Sequence, residues 1–195
     1  YAAWMAAEAV AIGERGTVLG YGRREPSLIV TGPQVRTMPS PGEPTLSELV
    51  LDMGVRVPLL VDRPADAPAH EASGADALVI ELPVRTPDGG LRIARSMLPR
   101  SSDVSTAPLE YTRGVLIRQA FKFLGERYGW GHAHGARDCS GFVSEVYRSV
   151  GIELPRNSQD QAASEAFDRL VFDANVDRAA RTVELRRLQA GELVY

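Results

Sequence analysis

Short apolar runs separated by Pro and Gly fill the first half of the chain and predict β-strands. They cover residues 27–31, 55–61, 77–84 and 91–97. Leu or Ile at positions 78, 80 and 82 alternates with Val, Glu and Pro at positions 79, 81 and 83, as expected of a half-exposed strand. Residues 87–90 (PDGG) predict a hairpin turn, and the Ala-, Pro- and Asp-rich residues 64–74 predict a loop. Several short strands with frequent turns indicate a small antiparallel barrel or sandwich.

From about residue 109 the apolar positions recur at three- and four-residue spacing and predict helices. Thr112 is placed to cap a first helix, which ends near residue 128. Its apolar stripe contains Leu116, Ile117, Ala120, Phe121 and Leu124. A second helix begins at Cys139 and stops at Gly151. Its apolar stripe contains Phe142, Val143, Val146, Tyr147 and Val150.

The remaining residues predict a third helix and the beginning of a strand. Ser158 is a candidate N-cap, and Gln161 is spaced to complete a capping box with it. A polar helical stretch continues from Gln159. Residues 188–195 predict a turn that enters a strand, where the sequence stops.

Composition narrows the class of protein. The 195 residues are 44% hydrophobic and 24% charged, which suffices for a core in one or two domains. The net charge of -3, without a Lys/Arg cluster, argues against nucleic-acid binding. A single cysteine excludes an internal disulfide and a cysteine-rich zinc site. No apolar run is long enough to span a membrane and no signal peptide is visible, although a chain that opens on Tyr1 leads us to expect an upstream segment.

Cys139 is the candidate nucleophile. A cysteine in the first turn of a helix faces unpaired backbone N–H groups and the positive end of the helix dipole, and both favour the thiolate. The alternative is that a lone cysteine is a small buried hydrophobe. Asp138, Ser140 and four glycines at positions 129, 131, 135 and 141 crowd the same short segment, which is poor material for a core. We therefore interpret Cys139 as catalytic.

Several segments together resemble the NlpC-type cell-wall cysteine peptidases, compact relatives of papain, over residues 112–195. The matching segments are residues 116–126, 128–131 (YGWG), 138–143 (DCSGFV), 151–161 (GIELPRNSQDQ) and 190–195 (AGELVY). The upstream half resembles bacterial SH3-like modules, with residues 31–37 and 51–54 fitting a second module and residues 1–20 the end of a first. The resemblance implies three domains: residues 1–24, residues 25–108 with a linker, and residues 109–195.

The implied fold class is α+β. A papain-like domain, consisting of its helical part and the start of an antiparallel sheet, follows all-β SH3-like barrels, and its C-terminal strands are absent from the chain. The implied reaction is hydrolysis of the bond between γ-D-glutamate and a diamino acid in peptidoglycan stem peptides. The tandem architecture resembles enzymes that require a free N-terminal L-Ala and release L-Ala-γ-D-Glu. The resemblance implies a monomer without cofactor or metal in a bacterial envelope, or in the cytoplasm if the peptides are being recycled.

The resemblance also implies roles for the neighbours of Cys139. Tyr128 lies beside the nucleophile and supplies an oxyanion donor in addition to the backbone N–H of Cys139. Asp138 and Ser140 hold the free amine of the substrate, a role that suits a carboxylate better than a hydroxyl. Trp130 forms an apolar wall or, alternatively, anchors the loop by packing. For Arg156 we favour a structural role, bracing the turn after the cysteine helix.

The general base is missing from the pattern. The family places a histidine and a third polar group after the cysteine, whereas His70, His132 and His134 all precede it. We expect His132 and His134 to be solvated or to face the substrate, and His70 to be exposed. No further ligand set supports a metal site at His132 and His134. Either the chain is cut before the histidine strand, which we favour, or the protein has lost its base.

Three functions follow from these alternatives. The leading one is a stem-peptide hydrolase whose base lies beyond Tyr195. The second is a non-catalytic protein that binds cell-wall peptides through a degenerate peptidase domain. The third is another papain-like amidase or acyl transferase, which uses the same thiolate with a different acceptor.

Overall fold

The computed structural model of the chain describes residues 6–60, 77–100, 103–165 and 167–195. The chain divides into two compact units, Tyr1–Pro108 and Leu109–Tyr195. The predicted loop at residues 64–74, with His70, lies outside the described residues. Mixed helix and sheet are present, in agreement with the coarse class predicted.

The first unit consists mostly of antiparallel strands. A single turn of 3-10 helix at Ala7–Ala9 and helix α1 (Arg15–Tyr21) precede them. The strands are β1 (Ser27–Val30), β2 (Gln34–Arg36), β3 (Met38–Pro39), β4 (Val50–Asp52), β5 (Arg56–Pro58), β6 (Ala77–Arg85), β7 (Leu91–Pro99) and β8 (Val104–Ser105). They pair in the orders β5-β1-β8, β2-β4 and β3-β7-β6. In the described part of this unit, the sheets do not close into a barrel.

The β6–β7 hairpin is the longest paired segment and confirms the predicted turn. The pairing runs from Ala77 opposite Pro99 to Arg85 opposite Leu91. At the turn, the hydroxyl of Thr86 donates to a carboxylate oxygen of Asp88 at 2.5 Å. Gly89 adopts a φ of 92°, which a residue with a side chain rarely adopts. The strand prediction for 77–84 and 91–97 is therefore correct, with each strand slightly longer.

The core of the first unit comes from alternating apolar residues on these strands. Its buried members are Leu28, Val30, Val35, Leu51, Val57, Ile80, Leu82 and Leu98. Burying such side chains stabilises the folded state by roughly 1.5–3 kcal/mol each. Because this core draws on β1, β2, β4, β5, β6 and β7, removal of one central side chain affects the packing of several strands.

The second unit is helical. Its helices are α2 (Arg113–Phe121), α3 (Cys139–Ser149), α4 (Ser158–Ala162) and α5 (Arg178–Leu185), with a 3-10 segment at Trp130–Gly135. Thr112 caps α2 as predicted, since its side chain accepts the N–H of Val115 at 3.2 Å. Phe123, which follows α2, meets Phe142 of α3 edge to face at 5.5 Å. None of the helices in the described residues has the length and apolar character required to cross a bilayer.

The predicted apolar stripe of α2 is wrong in part. Leu116 is buried, and the buried residue one turn later is the polar Gln119. Phe121 is 64% exposed and Leu124 81% exposed. The helix ends at Phe121, so Leu124 belongs to a turn and no longer follows the helical face. The stripe continues in the sequence beyond the point where the helix stops.

The predicted terminal strand is also wrong. Residues 192–195 form no strand, and no strand lies beside them in the described residues of this unit. Hydroxyl groups hold the segment instead: Tyr147 donates to the carbonyl of Gly191 at 2.5 Å, and Tyr195 donates to Oε1 of Gln161 at 3.0 Å. The polar helical stretch predicted from Gln159 ends at Ala162, and helical structure resumes only at α5.

Replacing Leu98 with Ala is expected to destabilise the protein by about 2–5 kcal/mol, because the side chain is fully buried and leaves a cavity. Leu19→Ala is the control: Leu19 is 53% exposed, and its change is expected to stay within about 0.5 kcal/mol. Chemical denaturation of the whole chain measures both. Equal losses for the two variants would contradict this account of the core.

Candidate functional site

Cys139 is the first residue of α3, as predicted. Asp138 is the N-cap, and its Oδ1 accepts the backbone N–H of Gly141 at 2.8 Å. The cysteine is exposed and is a free thiol. Val146 and Tyr147 lie on the buried face of α3 and anchor the helix in the interior, whereas its first residue is at the surface. The thiol therefore lies in the first turn of an anchored helix, where the dipole favours negative charge.

The carboxylate of Asp138 joins three segments of the chain. Besides Gly141, it accepts the N–H of Gly131 at 3.1 Å from the preceding loop. Arg156 donates from Nη1 to Oδ1 at 3.1 Å and from Nη2 to Oδ2 at 2.6 Å. The hydrogen bonds from Arg156, followed by those from Gly141, hold the pKa of Asp138 well below its usual range despite its burial. Asp138 is thus a fixed anion beside the thiol.

Arg156 braces the turn after the cysteine helix, as predicted, but it also contacts the site. Its Nη1 donates to Oγ of Ser140 at 3.1 Å, in addition to the contacts with Asp138. The structure therefore brings Asp138, Ser140 and Arg156 into one polar cluster next to Cys139. Asp138 and Arg156 are 18 positions apart in the sequence, a separation at which no helical or strand periodicity could have predicted this pair.

Tyr128 lies beside Cys139. Its hydroxyl is hydrogen-bonded to both the side chain and the backbone of Cys139. Loss of solvent around the phenol, and then the negative charges of Cys139 and Asp138, raise the pKa of Tyr128.

Trp130 is 81% exposed, so it does not anchor the loop by burial and its ring is open to a ligand.

The loop before Cys139 has an unusual backbone. His132 and His134 both adopt left-handed conformations, with φ of 64° and 58°. Such conformations are uncommon for residues other than Gly. The His132 ring is not simply solvated: its Nε2 lies 3.3 Å from Oε1 of Glu145, a buried residue of α3. A Cβ on Gly141 would come within 2.8 Å of that Nε2 and 2.9 Å of Oδ1 of Asp138, so a side chain at this position would displace His132 or Asp138.

Residues 125–195 match the model of the NlpC/P60 family. This range contains every site residue named above. A probable endopeptidase of Corynebacterium glutamicum (strain R) is 39% identical over 64 residues, 32% of this chain and 30% of that protein. The probable endopeptidase p60 of Listeria welshimeri is 50% identical over 50 residues, 25% of this chain and 10% of that protein. The gamma-D-glutamyl-L-lysine dipeptidyl-peptidase of Bacillus subtilis (strain 168) is 30% identical over 100 residues, 49% of this chain and 28% of that protein.

The chain thus spans less than a third of the length of each of these relatives. Two solved structures have a similar fold. An NlpC/P60 endopeptidase from Photobacterium damselae subsp. piscicida superposes with a TM-score of 0.58 at 18% identity, covering 80% of this chain and 30% of that one. An NlpC/P60 family protein from Bacillus cereus ATCC 10987 has a TM-score of 0.50 at 22% identity, covering 75% and 44%. At these identities the likeness concerns the fold alone.

Gln161, also within the NlpC/P60 match, supports the first turn of α3. The predicted capping box is wrong, because Asn157 is the N-cap of α4 and Gln161 points elsewhere. Its buried Nε2 donates to the carbonyl of Ser140 at 3.1 Å, to Oγ of Ser144 at 2.9 Å and to the carbonyl of Pro155 at 2.8 Å. Gln161 therefore fixes Ser140, the residue that follows Cys139.

An apolar groove of about 530 Å³ adjoins the thiol. Its lining includes Phe121, Phe123, Leu124, Tyr128, Cys139 and Phe142. Phe121 and Leu124, the exposed part of the apolar stripe predicted for α2, form one side of the groove.

In the described residues, no three His, Cys, Asp or Glu side chains form a group that could hold a metal ion.

Replacing Arg156 with Met is expected to make the free energy of unfolding fall less steeply as the pH is lowered into the acid range, which we call the acid limb. A depressed carboxyl pKa stabilises the fold above the ordinary aspartate value of about 3.9, and this stabilisation is lost as the pH falls below that value. Without Arg156 the pKa of Asp138 returns toward its ordinary value, so less stability is lost between about pH 5 and pH 2. At pH 7 the variant should lose about 1–3 kcal/mol.

Unfolding free energies measured across this pH range test the role of Arg156. Arg148→Met is the matched control, since Arg148 pairs at 3.3 Å with Glu153, whose side chain is 76% exposed. We expect that control to change stability by less than about 1 kcal/mol and to leave the acid limb unchanged. An Arg156→Met variant with the wild-type acid limb would show that Asp138 does not depend on this pair.

Replacing Gln161 with Met is expected to cost about 1–3 kcal/mol, because the substitution keeps the length but removes the side-chain donor to the carbonyl of Ser140 and to Oγ of Ser144. It also removes the acceptor of the Tyr195 hydroxyl, while the carbonyl of Pro155 still accepts from Oγ of Ser144 at 3.4 Å. Gln161→Glu should cost more, since a carboxylate would face the same oxygen atoms. Gln159→Met, at an exposed position of the same helix, is the control. Thermal denaturation measures all three, and an unchanged midpoint for Gln161→Met would refute the supporting role.

Proposed function

We propose that this chain forms the nucleophile half of a peptidoglycan stem-peptide hydrolase. In this proposal it cleaves the bond between γ-D-glutamate and a diamino acid and releases L-Ala-γ-D-Glu from peptides with a free N-terminal L-Ala. The observation that supports it is the exposed Cys139 at the N-terminus of α3, with the Tyr128 hydroxyl hydrogen-bonded to it. The NlpC/P60 match of residues 125–195 and the similarity to the gamma-D-glutamyl-L-lysine dipeptidyl-peptidase of Bacillus subtilis support the same function.

The chemistry begins with the thiolate of Cys139. Its sulfur attacks the γ-carbonyl carbon, and the carbonyl oxygen becomes an oxyanion. Hydrogen-bond donors must meet that oxyanion, and the Tyr128 hydroxyl and the backbone N–H of Cys139 lie together at this point. The C–N bond then breaks, the leaving amine takes a proton, and a thioester remains. Water hydrolyses the thioester and regenerates the thiol.

The polar cluster beside the thiol is the proposed subsite for the substrate amine. Asp138 supplies negative charge and Ser140 a hydroxyl, while Arg156 holds both. The carboxylate already accepts from Gly131, Gly141, Arg156 and Ser140, the last at 3.4 Å. The long contact with Ser140 is the weakest of these, so we propose that the incoming ammonium replaces it. Exposed Trp130 provides an apolar wall for the same ligand.

Other parts of the proposal concern the whole protein. The scheme needs a base that accepts the thiol proton. We propose that this base is a histidine in the part of the protein that follows Tyr195. The preceding unit is proposed to act as SH3-like modules, with residues 1–24 and 25–108 as the domain bounds. We propose a monomeric enzyme of the cell envelope that needs no cofactor.

The test is an assay of the full-length protein with the tripeptide L-Ala-γ-D-Glu-diaminopimelate, followed by chromatography of the products. Wild type should release L-Ala-γ-D-Glu, and Cys139→Ala should release none, a loss of at least about 10³-fold. Arg148→Met is the control: Arg148 lies on α3, its side chain is 33% exposed and, among the salt bridges of the described residues, it pairs only with the exposed Glu153, so this variant should retain wild-type activity.

Other outcomes of this assay would identify a different function or correct the substrate requirement. Tripeptide binding without turnover by both wild type and Cys139→Ala would identify a peptide-binding protein and refute the hydrolase. Equal cleavage of an N-acetylated tripeptide would refute the free-amine requirement. Transfer of the acyl group to an added amine, with no free dipeptide, would identify an acyl transferase.

A further inference from the structure

A buried ion pair lies directly behind the nucleophile. Arg137, two residues before Cys139, donates from Nε to Oε2 of Glu145 at 2.8 Å. The Arg137 side chain is 5% exposed and that of Glu145 4% exposed. Arg137 also donates to Glu126 at 2.8 Å, and its guanidinium lies 4.9 Å from the centre of the Phe123 ring.

Burial of this kind constrains geometry. Arg and Glu are almost never fully buried unless they are paired, because each ion loses several kcal/mol of hydration. The arrangement therefore persists only where each charge meets its partner in a defined position. Arg137 is a loop residue and Glu145 lies on α3, so their contact attaches the loop to the cysteine helix at one point.

The backbone extends this attachment to Tyr128. The carbonyl of Arg137 accepts the N–H of Gly129 at 2.9 Å, and residues 128 and 137 form an isolated bridge. The other oxygen of Glu145 lies 3.3 Å from Nε2 of His132. Thus one carboxylate on α3 holds the loop at Arg137 and His132, and Arg137 in turn holds the segment that carries Tyr128.

We infer that Arg137 and Glu145 are positioning residues for the reaction. Their ion pair holds residues 128–138 against α3 and thereby places the Tyr128 hydroxyl at Cys139. Arg137 also lines the groove beside the thiol, whereas Glu145 does not, so Glu145 is the residue whose replacement tests positioning alone. The inference rests on the proposed function for its catalytic consequence. The placement of Tyr128 can be measured without any substrate, however, through the reactivity of the thiol.

The experiment is a double-mutant cycle between Tyr128→Phe and Glu145→Gln in the full-length protein. Alkylation of Cys139 by iodoacetamide is measured from pH 5 to pH 10, beside kcat and KM for the tripeptide. A hydrogen bond to a thiolate favours the charged form. Tyr128→Phe should therefore move the half-maximal alkylation rate to higher pH, and Glu145→Gln should do the same.

The cycle separates positioning from simple stabilisation. If Glu145 acts through Tyr128, the double variant shows no shift beyond that of Tyr128→Phe. We also expect kcat of Glu145→Gln to fall about 10- to 100-fold with little change in KM. A wild-type alkylation profile for Glu145→Gln, or shifts that add in the double variant, would overturn the inference.

A second variant keeps the test decisive if Glu145→Gln does not fold. Arg137→Met combined with Glu145→Leu removes both buried charges, a change that is often neutral for stability. Glu126 loses its partner in this variant, but its side chain is 25% exposed and keeps contact with solvent. We expect this protein to fold and to show the same alkylation shift, whereas a wild-type profile would overturn the inference. Arg148→Met removes an exposed pair from the same helix and should leave the profile unchanged. A wild-type protein that alkylates as expected but cleaves no tripeptide would refute only the proposed function.

Discussion

The N-cap of α3 is the interaction on which the site depends. Asp138 takes a backbone N–H from α3 through Gly141, another from the preceding loop through Gly131, and the guanidinium of Arg156 from the following turn. Each of these donors comes from a different segment, so one carboxylate sets the start of the helix and the position of the residue after it. Because that residue is Cys139, the cap of the helix also fixes the position of the thiol.

Two contacts hold α3, one from the segment before it and one from the segment after it. Upstream, Arg137 binds Glu145 and carries the Tyr128 segment with it. Downstream, Gln161 binds the carbonyl of Ser140 and the hydroxyl of Ser144. An exposed cysteine gains little from packing of its own side chain. Its position is determined by these neighbours, which is how rigid elements present a reactive group at a surface.

Local signals in the sequence were sufficient for several of the elements and for placing Cys139 at the start of α3. The alternation in β6 and the turn before β7 predicted the hairpin, Thr112 predicted the start of α2, and the glycines and Asp138 marked the start of α3. These features depend on residues within about four positions of each other. The contacts of Arg156 with Asp138, of Gln161 with Ser140 and of Arg137 with Glu126 and Glu145 join residues 8 to 21 positions apart, for which a single sequence contains no periodic signal.

The errors have physical causes of the same kind. The stripe of α2 was extended to Leu124 because spacing alone does not show where a helix ends. The terminal strand was predicted from its turn and apolar residues, but a strand requires a partner that offers hydrogen bonds. In the structure, Tyr147 and Gln161 bind this segment instead. Whether such a segment is hydrogen-bonded by a neighbouring strand or by side chains is decided by the tertiary structure.

The central claim is that Cys139 forms a thioester with the γ-glutamyl carbonyl. The most direct measurement is mass spectrometry of the full-length protein after acid quenching within the first turnovers of the tripeptide, followed by proteolysis and sequencing of the peptide that contains Cys139. The account predicts an L-Ala-γ-D-Glu acyl group on the sulfur of Cys139 that disappears as dipeptide accumulates. Dipeptide release with Cys139 unmodified throughout, or with the acyl group on another residue, would contradict it.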